Sequence, residues 1–378
     1  MTGVEQLTGA VVRLRPFRLE DADDLLAGCN DPLTLGFLQQ MPSPYTHADA
    51  AWWINEGAPA AFAAGGSAHA ITDPATDRVI GGVGHHHVRD GAAEIGYWVA
   101  AGARGRGVAT DACRTLSAYA FAHGIQRLGL KTEIENAASQ RVALASGYAR
   151  ESVERGGGRS RNGGRHDLIV WSRLDSDSGE PVPRMLPDLP GRTAGDPGHL
   201  TDGVTILRPL RVADAPDTHA IRSLPEVVAT SVPPTAPDLP SIVRRCAQAE
   251  ASWLAGERAD FTIRDAETGA YAGEIGLYYW SPRTGEAITG YSMMPAWRGR
   301  GHATRAVRLL ADWAFEHVGI ARLVAGTAPW NTASQRVLER AGFEREGYEH
   351  ARLPGPNGTR VDNVTYALLP QAASQITP

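Results

Sequence analysis

Apolar and polar residues follow two periods along this chain, and the order of those periods occurs twice. Short runs of alternation, typical of strands with one buried face, predict strands in the first half at residues 11–15, 79–88, 93–99, 128–134 and 168–171. Apolar residues three or four positions apart, with acidic starts or a closing glycine, predict helices at residues 20–30, 47–57, 107–123 and 137–146. The second half repeats this order from residue 204 to residue 369.

Two short motifs set the length of the repeat. Arg-Gly-Arg-Gly-Val-Ala-Thr occupies residues 104–110, and Arg-Gly-Arg-Gly-His-Ala-Thr occupies residues 298–304. Asn-Ala-Ala-Ser begins at Asn136, and Asn-Thr-Ala-Ser begins at Asn331. The copies are about 194 residues apart, which is too long for a solenoid repeat and indicates a duplicated domain.

The order of elements in each copy indicates an α/β (α+β) fold, in which a mixed central sheet is flanked by helices. We expect an N-terminal domain at residues 1–175 and a C-terminal domain at residues 204–378. Residues 176–203 are rich in Pro, Gly and Asp and lack apolar periodicity, which predicts a linker. Two domains suit a chain of 378 residues.

Bulk composition excludes several classes of protein. The chain is 43% hydrophobic and 21% charged, as is ordinary for a globular protein. A net charge of −5 provides no drive toward nucleic acid, and no apolar run is long enough to span a membrane. The first residues lack a signal peptide, and three scattered cysteines form no disulfide or zinc spacing. We therefore expect a cytoplasmic protein without nucleic-acid or membrane partners.

The glycine-rich motif lies where a phosphate could bind. In the first copy it follows the strand that ends at Val99 and opens the helix at residues 107–123. Glycines at such a turn let backbone N–H groups approach an anion, and the helix N-terminus adds partial positive charge. The spacing differs from the motifs that bind nucleoside triphosphates and dinucleotides. One copy would be weak evidence, but two copies in the same context predict a phosphate or pyrophosphate site.

Together, Arg-x-x-Gly-x-Ala, Asn-x-x-Ser and a later Gly-aromatic pair resemble the GNAT acyltransferase superfamily, most closely its RimJ/RimL-type N-acetyltransferases. The resemblance covers both halves and implies two tandem GNAT folds that use acetyl-CoA, or another acyl-CoA, as co-substrate. The cofactor-binding residues that it implies in the first copy are Trp98, Val99, Arg104, Gly105, Arg106, Gly107, Val108, Ala109, Thr110 and Asn136. Those in the second copy are Met293, Met294, Arg298, Gly299, Arg300, Gly301, His302, Ala303, Thr304, Asn331 and Ser334.

Acyl transfer to an amine requires a neutral amine and a proton for the departing thiolate. Glu94 lies in the strand beside the expected thioester and is the predicted base, with a purely structural carboxylate as the alternative. By the resemblance, Ser139 meets the thioester sulfur and is the predicted acid. In the second copy we expect Thr289 at the position of Glu94, and threonine is no base at neutral pH. We therefore predict that the N-terminal domain carries the chemistry.

Three consecutive histidines lie in the strand that precedes Glu94. Neighbouring strand residues point to opposite faces, so at most two of His85, His86 and His87 could share a metal ion, and no further ligand is evident. We therefore predict no metal site. His85 or His87 is expected to face the substrate cleft, with an ordinary polar strand face as the alternative.

The predicted function is transfer of an acyl group, with acetyl expected, from CoA to the primary amine of a small molecule or peptide. One alternative is a natural-product or antibiotic-modifying acyltransferase that uses a longer acyl chain or a donor bound to an acyl carrier protein. Another is a protein in which one domain only senses acyl-CoA. The residues do not distinguish a peptide N-terminus, an amino sugar and a small metabolite as acceptor, and they leave the oligomeric state open.

Overall fold

The chain folds into two units in a computed structural model that describes residues 5–193, 195–355 and 358–370. The first unit comprises Met1–Pro183 and the second Arg184–Pro378. The outermost ends of the two expected domains, residues 1–4 and 371–378, lie outside the described residues. Within the described ranges, no helix is both long and apolar enough to cross a membrane.

The N-terminal unit has an eight-stranded mixed sheet flanked by helices, as expected. Its strands are β1 (Leu7–Thr8), β2 (Arg13–Arg15), β3 (Ser67–Thr72), β4 (Val79–Arg89), β5 (Ala92–Val99), β6 (Arg127–Glu133), β7 (Ala149–Arg159) and β8 (Arg165–Leu174). Its helices are α1 (Ala22–Cys29), α2 (Pro32–Phe37), α3 (His47–Trp52), α4 (Ala58–Ala63), α5 (Val108–Ala122) and α6 (Ala137–Ala145). The strand order is β1-β2-β3-β4-β5-β6-β8-β7.

The only parallel pair in this sheet, β5 and β6, separates soon after pairing begins. The last paired residues are Glu94 of β5 and Gly129 of β6. Beyond them β5 continues to Val99 while paired with β4, and β6 continues to Glu133 while paired with β8. The two strands are therefore held from their outer sides while a gap opens between them.

The C-terminal unit repeats this architecture with the strand order β15-β16-β14-β13-β12-β11-β10-β9. Its helices are α7 (Ala215–Arg222), α8 (Pro225–Val228), α9 (Leu239–Leu254), α10 (His302–Trp313) and α11 (Thr332–Ala341). Its strands are β9 (Leu200–Thr201), β10 (Thr205–Pro209), β11 (Arg258–Asp265), β12 (Tyr271–Ser281), β13 (Glu286–Met293), β14 (Arg322–Thr327), β15 (Glu344–Pro354) and β16 (Arg360–Leu368). The parallel pair β13 and β14 separates after Ile288 and Val324.

Helix α5 shows why the predicted helices pack as they do. Its apolar residues Ala112, Cys113, Leu116 and Ala120 are at most 1% exposed. They recur at three- and four-residue intervals, so they share one face and leave water together when that face covers the sheet. The apolar period thus determines which side of the helix faces β4 and β5.

Part of the segment expected to be a linker packs in the C-terminal unit. Leu186, Leu189 and Leu200 are buried in the same cluster as Trp253. The Trp253 indole N–H also donates a hydrogen bond to the carbonyl oxygen of Pro187 at 3.0 Å. This unit therefore begins at Arg184, before the expected start at residue 204. Isolated leucines in an irregular segment have no period that would reveal their burial.

The structure also contains elements that the hydrophobic pattern did not predict. All six residues of β3 are buried, so this strand has no alternation of apolar and polar positions. Strand β7 includes Gly156, Gly157 and Gly158 and is mostly exposed, which is typical of a loop composition. Helix α2 has only six residues and is too short for a helical period to stand out.

Leu186→Ala is expected to lower the free energy of unfolding of the C-terminal unit by about 2–5 kcal/mol, because it empties a buried leucine site. The control is Val204→Ala, whose side chain is 41% exposed and whose effect should stay within about 0.5 kcal/mol. Calorimetric unfolding of the full chain measures both changes. Equal effects of the two changes would contradict the packing of this segment in the core.

Candidate active site

The separation of the parallel strands forms a cavity in the C-terminal unit. It has a volume of about 170 Å³ and lies between β13 and β14, beside the start of α11 and the β15–β16 hairpin. Its lining includes Thr289, Tyr291, Ala328, Ser334, Leu338, Leu353 and Val361. The matching separation of β5 and β6 marks the corresponding place in the N-terminal unit.

The glycine-rich turns follow the open ends of β5 and β13. Gly107 and Gly301 immediately precede the first residues of α5 and α10, with left-handed φ angles of 79° and 88°. A Cβ atom at either position would meet nothing within 4 Å, so the backbone conformation, not crowding, favours glycine. The first N–H groups of these helices have no partner within the helix and can bind an anion.

The arginine that opens the first turn is held by protein groups. Arg104 Nε donates to the carbonyl oxygen of Val99 at 3.1 Å. The same guanidinium bonds the carboxylate of Asp31 and donates to the Thr34 hydroxyl at 2.9 Å. The side chain therefore ties the end of β5 to helix α2.

Arg298 repeats this arrangement in the second unit. Its Nε donates to the carbonyl oxygen of Met293 at 3.1 Å, and its Nη1 lies 2.8 Å from Glu226 Oε1 of α8. We expected Arg104 and Arg298 to bind the cofactor, but their guanidinium groups have these partners instead. A cofactor-binding role of the two residues stays a prediction.

Other side chains of the turns also point inward. His302 is 4% exposed, its Nδ1 lies 2.9 Å from Thr205 Oγ1, and Val108 at the same position of the first unit is equally buried. The expected role of these two residues can therefore involve only their backbone. Arg106 and Arg300 have exposed side chains that can reach a bound anion. The expected residues Ala109, Thr110, Ala303 and Thr304 are partly exposed in the first helical turns.

The expected pantetheine-binding residues are also partly engaged. The Trp98 ring packs directly against Gly28 of α1 and Gly82 of β4, so closely that a Cβ atom on either glycine would clash with it. The ring is therefore fixed between these two elements. Asn136 and Asn331 begin α6 and α11, where the side-chain oxygen of each accepts a hydrogen bond from a backbone N–H. Each asparagine is therefore a helix cap, and that oxygen is already used.

A partly buried tyrosine–serine pair recurs at the gap in both units. The Tyr97 hydroxyl lies 2.8 Å from Ser139 Oγ, and the Tyr291 hydroxyl lies 2.9 Å from Ser334 Oγ. Burial raises the pKa of Tyr97 and raises the pKa of Tyr291 to about 12, so both phenols are protonated at neutral pH. Sequence reasoning missed these tyrosines as partners of the serines, although their recurrence in both copies was a usable signal.

Glu94 lies at the point where the parallel strands separate. Its carboxylate is partly exposed, with Oε1 3.9 Å from His86 Nε2 and Oε2 4.0 Å from Lys131 Nζ. The expected equivalence of Glu94 and Thr289 is wrong. In the first unit, Glu94 and Gly129 are the third residue pair of the parallel strands, and in the second unit the third pair is Ile288 and Val324. The counterpart of Glu94 is therefore Ile288. Ile288 is not titratable, so the second unit still has no carboxylate at this place.

The histidine run departs from strand alternation. The register of β4 against β5 shifts after His86, and His87 has a left-handed φ of 54°. As a result, ligand atoms of His86, His87 and Glu94 lie within 4.8 Å of one another. Within the described ranges, this is the one group of histidine, cysteine and carboxylate side chains that could hold a metal ion. We predicted no metal site because neighbouring strand residues point to opposite faces, and His86 and His87 do not follow that rule.

His85 does not face the substrate cleft, which corrects one of the two expected positions. It is buried, and its Nδ1 lies 2.8 Å from Ser67 Oγ on β3. His86 takes the place beside Glu94 instead, and His87 joins it because the irregularity turns both rings to one side.

A second polar group was missed entirely. Glu133 ends β6, and its Oε1 lies 3.2 Å from His166 Nε2 on β8. His166 Nδ1 in turn lies 3.1 Å from Ser160 Oγ in the loop between β7 and β8. Ser160 and His166 lie in one hairpin, whereas Glu133 is distant in sequence and becomes their neighbour only through the pairing of β6 with β8.

Comparison with known proteins bears on the nature of this site. The acetyltransferase (GNAT) domain family matches residues 12–149 and again residues 205–344. The chain belongs to this GNAT family. The two matched ranges together cover most of the chain, and each contains one glycine-rich turn and one Asn-x-x-Ser motif.

Matches to individual proteins cover shorter parts of the chain than the family model does. The probable N-acetyltransferase YjcK of Bacillus subtilis is 41% identical over 83 residues, which are 22% of this chain and 45% of that protein. The uncharacterized N-acetyltransferase p20 of Bacillus licheniformis is 31% identical over 120 residues, which are 31% of this chain and 65% of that protein. The chain thus spans about half to two thirds of the length of these relatives. RimJ of Mycobacterium smegmatis, solved with CoA-disulfide, is 26% identical, with 47% of this chain and 88% of that chain covered and a TM-score of 0.42.

The Arg104–Asp31 contact is expected to make stability depend on pH. Arg104 lowers the pKa of Asp31, so the ionised carboxylate stabilises the fold above the ordinary aspartate pKa, and this stabilisation is lost as pH falls through the lowered value. Between wild type and Arg104→Gln, the difference in melting temperature should be largest at neutral pH and shrink below about pH 4. Arg106→Gln, with a side chain 61% exposed, is the control and should follow wild type. A difference that stays constant from pH 3 to 7 would refute this role.

Proposed function

We propose that the chain is an acyl-CoA-dependent N-acyltransferase, with acetyl as the expected group, and that its N-terminal unit acylates a primary amine. The observation that carries this proposal is the partly buried Tyr97–Ser139 pair at the gap between β5 and β6, directly before a glycine turn suited to an anion. Membership of the GNAT family supports it.

The donor would lie along the open edge of β5. The turn that contains Gly105 and Gly107 would bind the pyrophosphate through backbone N–H groups, helped by the exposed Arg106. Beyond Glu94 the side of β5 that faces β6 has no strand partner, so its backbone groups can bond the pantetheine arm. The thioester would then enter the gap beside Ser139.

Conversion of an ammonium ion to an amide removes two protons from nitrogen, and the departing thiolate gains one. We assign one of the two protons on nitrogen to Glu94, which borders the gap. Ser139, whose hydroxyl is bonded to the protonated Tyr97, would donate a hydrogen bond to the thiolate. A donor of this kind stabilises developing negative charge without losing its own proton.

We propose that the second unit binds an acyl group without rapid turnover. Ile288 replaces the carboxylate, and Leu338, Leu353 and Val361 contribute apolar side chains to a cavity whose lining is otherwise mostly polar. These three side chains support the alternative of a donor with a longer acyl chain, either on CoA or on an acyl carrier protein. Octanoyl-CoA should then bind this unit more tightly than acetyl-CoA in calorimetric titration, whereas a preference for acetyl-CoA would reject this alternative.

Calorimetric titration of the full chain with CoA should reveal two sites. Gly107→Glu should abolish one of them and Gly301→Glu the other, because each places a strained, negatively charged side chain where phosphates would bind. Gly102→Glu is the matched control, since its Cβ also meets nothing but its φ is not left-handed. A single site that disappears with Gly107→Glu would leave the second unit structural.

Glu94→Gln should lower kcat by about 10²–10⁴-fold with little change in CoA affinity, as expected for loss of a proton acceptor. Release of the CoA thiol from acetyl-CoA measures the rate, with a peptide bearing a free N-terminus, an amino sugar and a diamine as trial acceptors. Ser139→Ala and Ser334→Ala form a matched pair at the same place in the two units. Greater damage from Ser334→Ala would assign the chemistry to the other unit.

A further inference from the structure

The hydrogen-bonded chain of Glu133, His166 and Ser160 lies at the place in the N-terminal unit that corresponds to the cavity of the second unit. The strand pairing is the same in the two units, so Glu133 and His166 each have a counterpart in the second unit. Ala328 is the counterpart of Glu133, and Val361 is the counterpart of His166. Gly158 pairs with His166, as Leu353 pairs with Val361, so Leu353 is the counterpart of Gly158. All three counterparts line the cavity of the second unit.

The same cavity also contains Tyr291 and Ser334, the counterparts of Tyr97 and Ser139. The chain of polar groups therefore stands beside the tyrosine–serine pair of the first unit. Ile288, the counterpart of Glu94, directly precedes Thr289, and Thr289 is the first residue of β13 that lines the cavity. Glu94 is therefore at the edge of the corresponding place in the first unit.

The position of His166 is built into the hairpin. A Cβ atom on Gly158 would lie 2.0 Å from His166 Nε2, so only glycine at this position leaves room for the ring. The side chains of Glu133 and His166 are 17% and 21% exposed, and burial raises the pKa of Glu133. Desolvation of this kind strengthens the interaction between a carboxylate and an imidazolium ion.

The loop that carries Ser160 is also held in place. Arg161 donates to the carbonyl oxygen of Leu38 at 2.9 Å, and its backbone N–H donates to Gln39 Oε1 at 3.1 Å. Further bonds from this guanidinium reach the carbonyl oxygens of Leu35 and Met41. Ser160 is thus fixed between the hairpin and the segment that follows α2.

We propose that His166 is a proton acceptor for the amine substrate and acts through Ser160. The ammonium of the acceptor gives one proton to Ser160 Oγ while that hydroxyl gives its own proton to His166 Nδ1. The ring keeps its Nε2 proton in the bond to Glu133, whose negative charge stabilises the imidazolium. Glu133 is therefore a positioning residue.

The remaining proton transfers complete the reaction. The neutral amine attacks the thioester carbon, its nitrogen loses the second proton to Glu94, and the C–S bond breaks as the thiolate takes a proton from solvent. His166 and Glu94 return their protons to solvent before the next cycle. The inference rests on the proposed function, and it names a second proton acceptor for the same site.

His166→Gln should lower kcat/KM by about 10²-fold at pH 7 with a free-N-terminus peptide as acceptor. The deficit should shrink as pH rises toward the pKa of the amine, because an amine that is already unprotonated no longer has the proton that His166 removes. Glu133 faces the ring, and Glu135 acts on Glu133 electrostatically, so Glu133→Gln should show a smaller deficit with the same pH trend. His123→Gln, at the exposed end of α5, is the control and should match wild type.

Several outcomes would overturn this role. A deficit that is constant from pH 6.5 to 9.5 would mean that His166 is only structural, and unchanged kinetics would remove it from the reaction. An acyl adduct on Ser160 in intact-mass spectra would make that serine a nucleophile instead. Calorimetric CoA affinity equal to wild type would show that the variants are folded. If wild type itself transfers acetyl to none of the trial amines, the proposed function fails independently of this inference.

Discussion

The short parallel pairing of β5 with β6, and of β13 with β14, is the constraint on which each unit depends. Each pair contributes only three residues on either side before it separates. Separation costs backbone hydrogen bonds on the facing edges, and it persists because antiparallel neighbours hold each strand from outside. The open edges, the tyrosine–serine pair and the cavity all exist because these strands diverge.

Sequence periodicity predicted those elements that have one buried face, such as α5 and β5, and the repeat correctly predicted two copies of one fold. It missed β3, which is buried on both faces, and β7, whose glycines and exposed charges suggest a loop. At the site, recurrence singled out the two glycine turns, and their role in binding stays a prediction. Recurrence could not predict side-chain direction, because Arg104, His302 and His85 are turned away by partners brought from distant strands and helices. The Glu133–His166 contact likewise depends on strand order.

The two units keep one scaffold and change its lining. Where the first has Glu133 and His166, the second has Ala328 and Val361, although the tyrosine–serine pair and the glycine turn are retained in both. The retained features are the strand gap, the glycine turn and the tyrosine–serine pair. The altered features are individual side chains at matching strand positions, so the difference between the units is chemical rather than architectural.

Arg161 joins a hairpin loop to a segment more than a hundred residues earlier, and it does so through backbone carbonyl groups. Backbone groups are present whatever the side chains, so residues around this anchor can be replaced without loss of the anchor itself. Side chains of the two surface segments can therefore be substituted while the contact between the segments persists. The anchor thus lets the chemistry of this surface change without a change of fold.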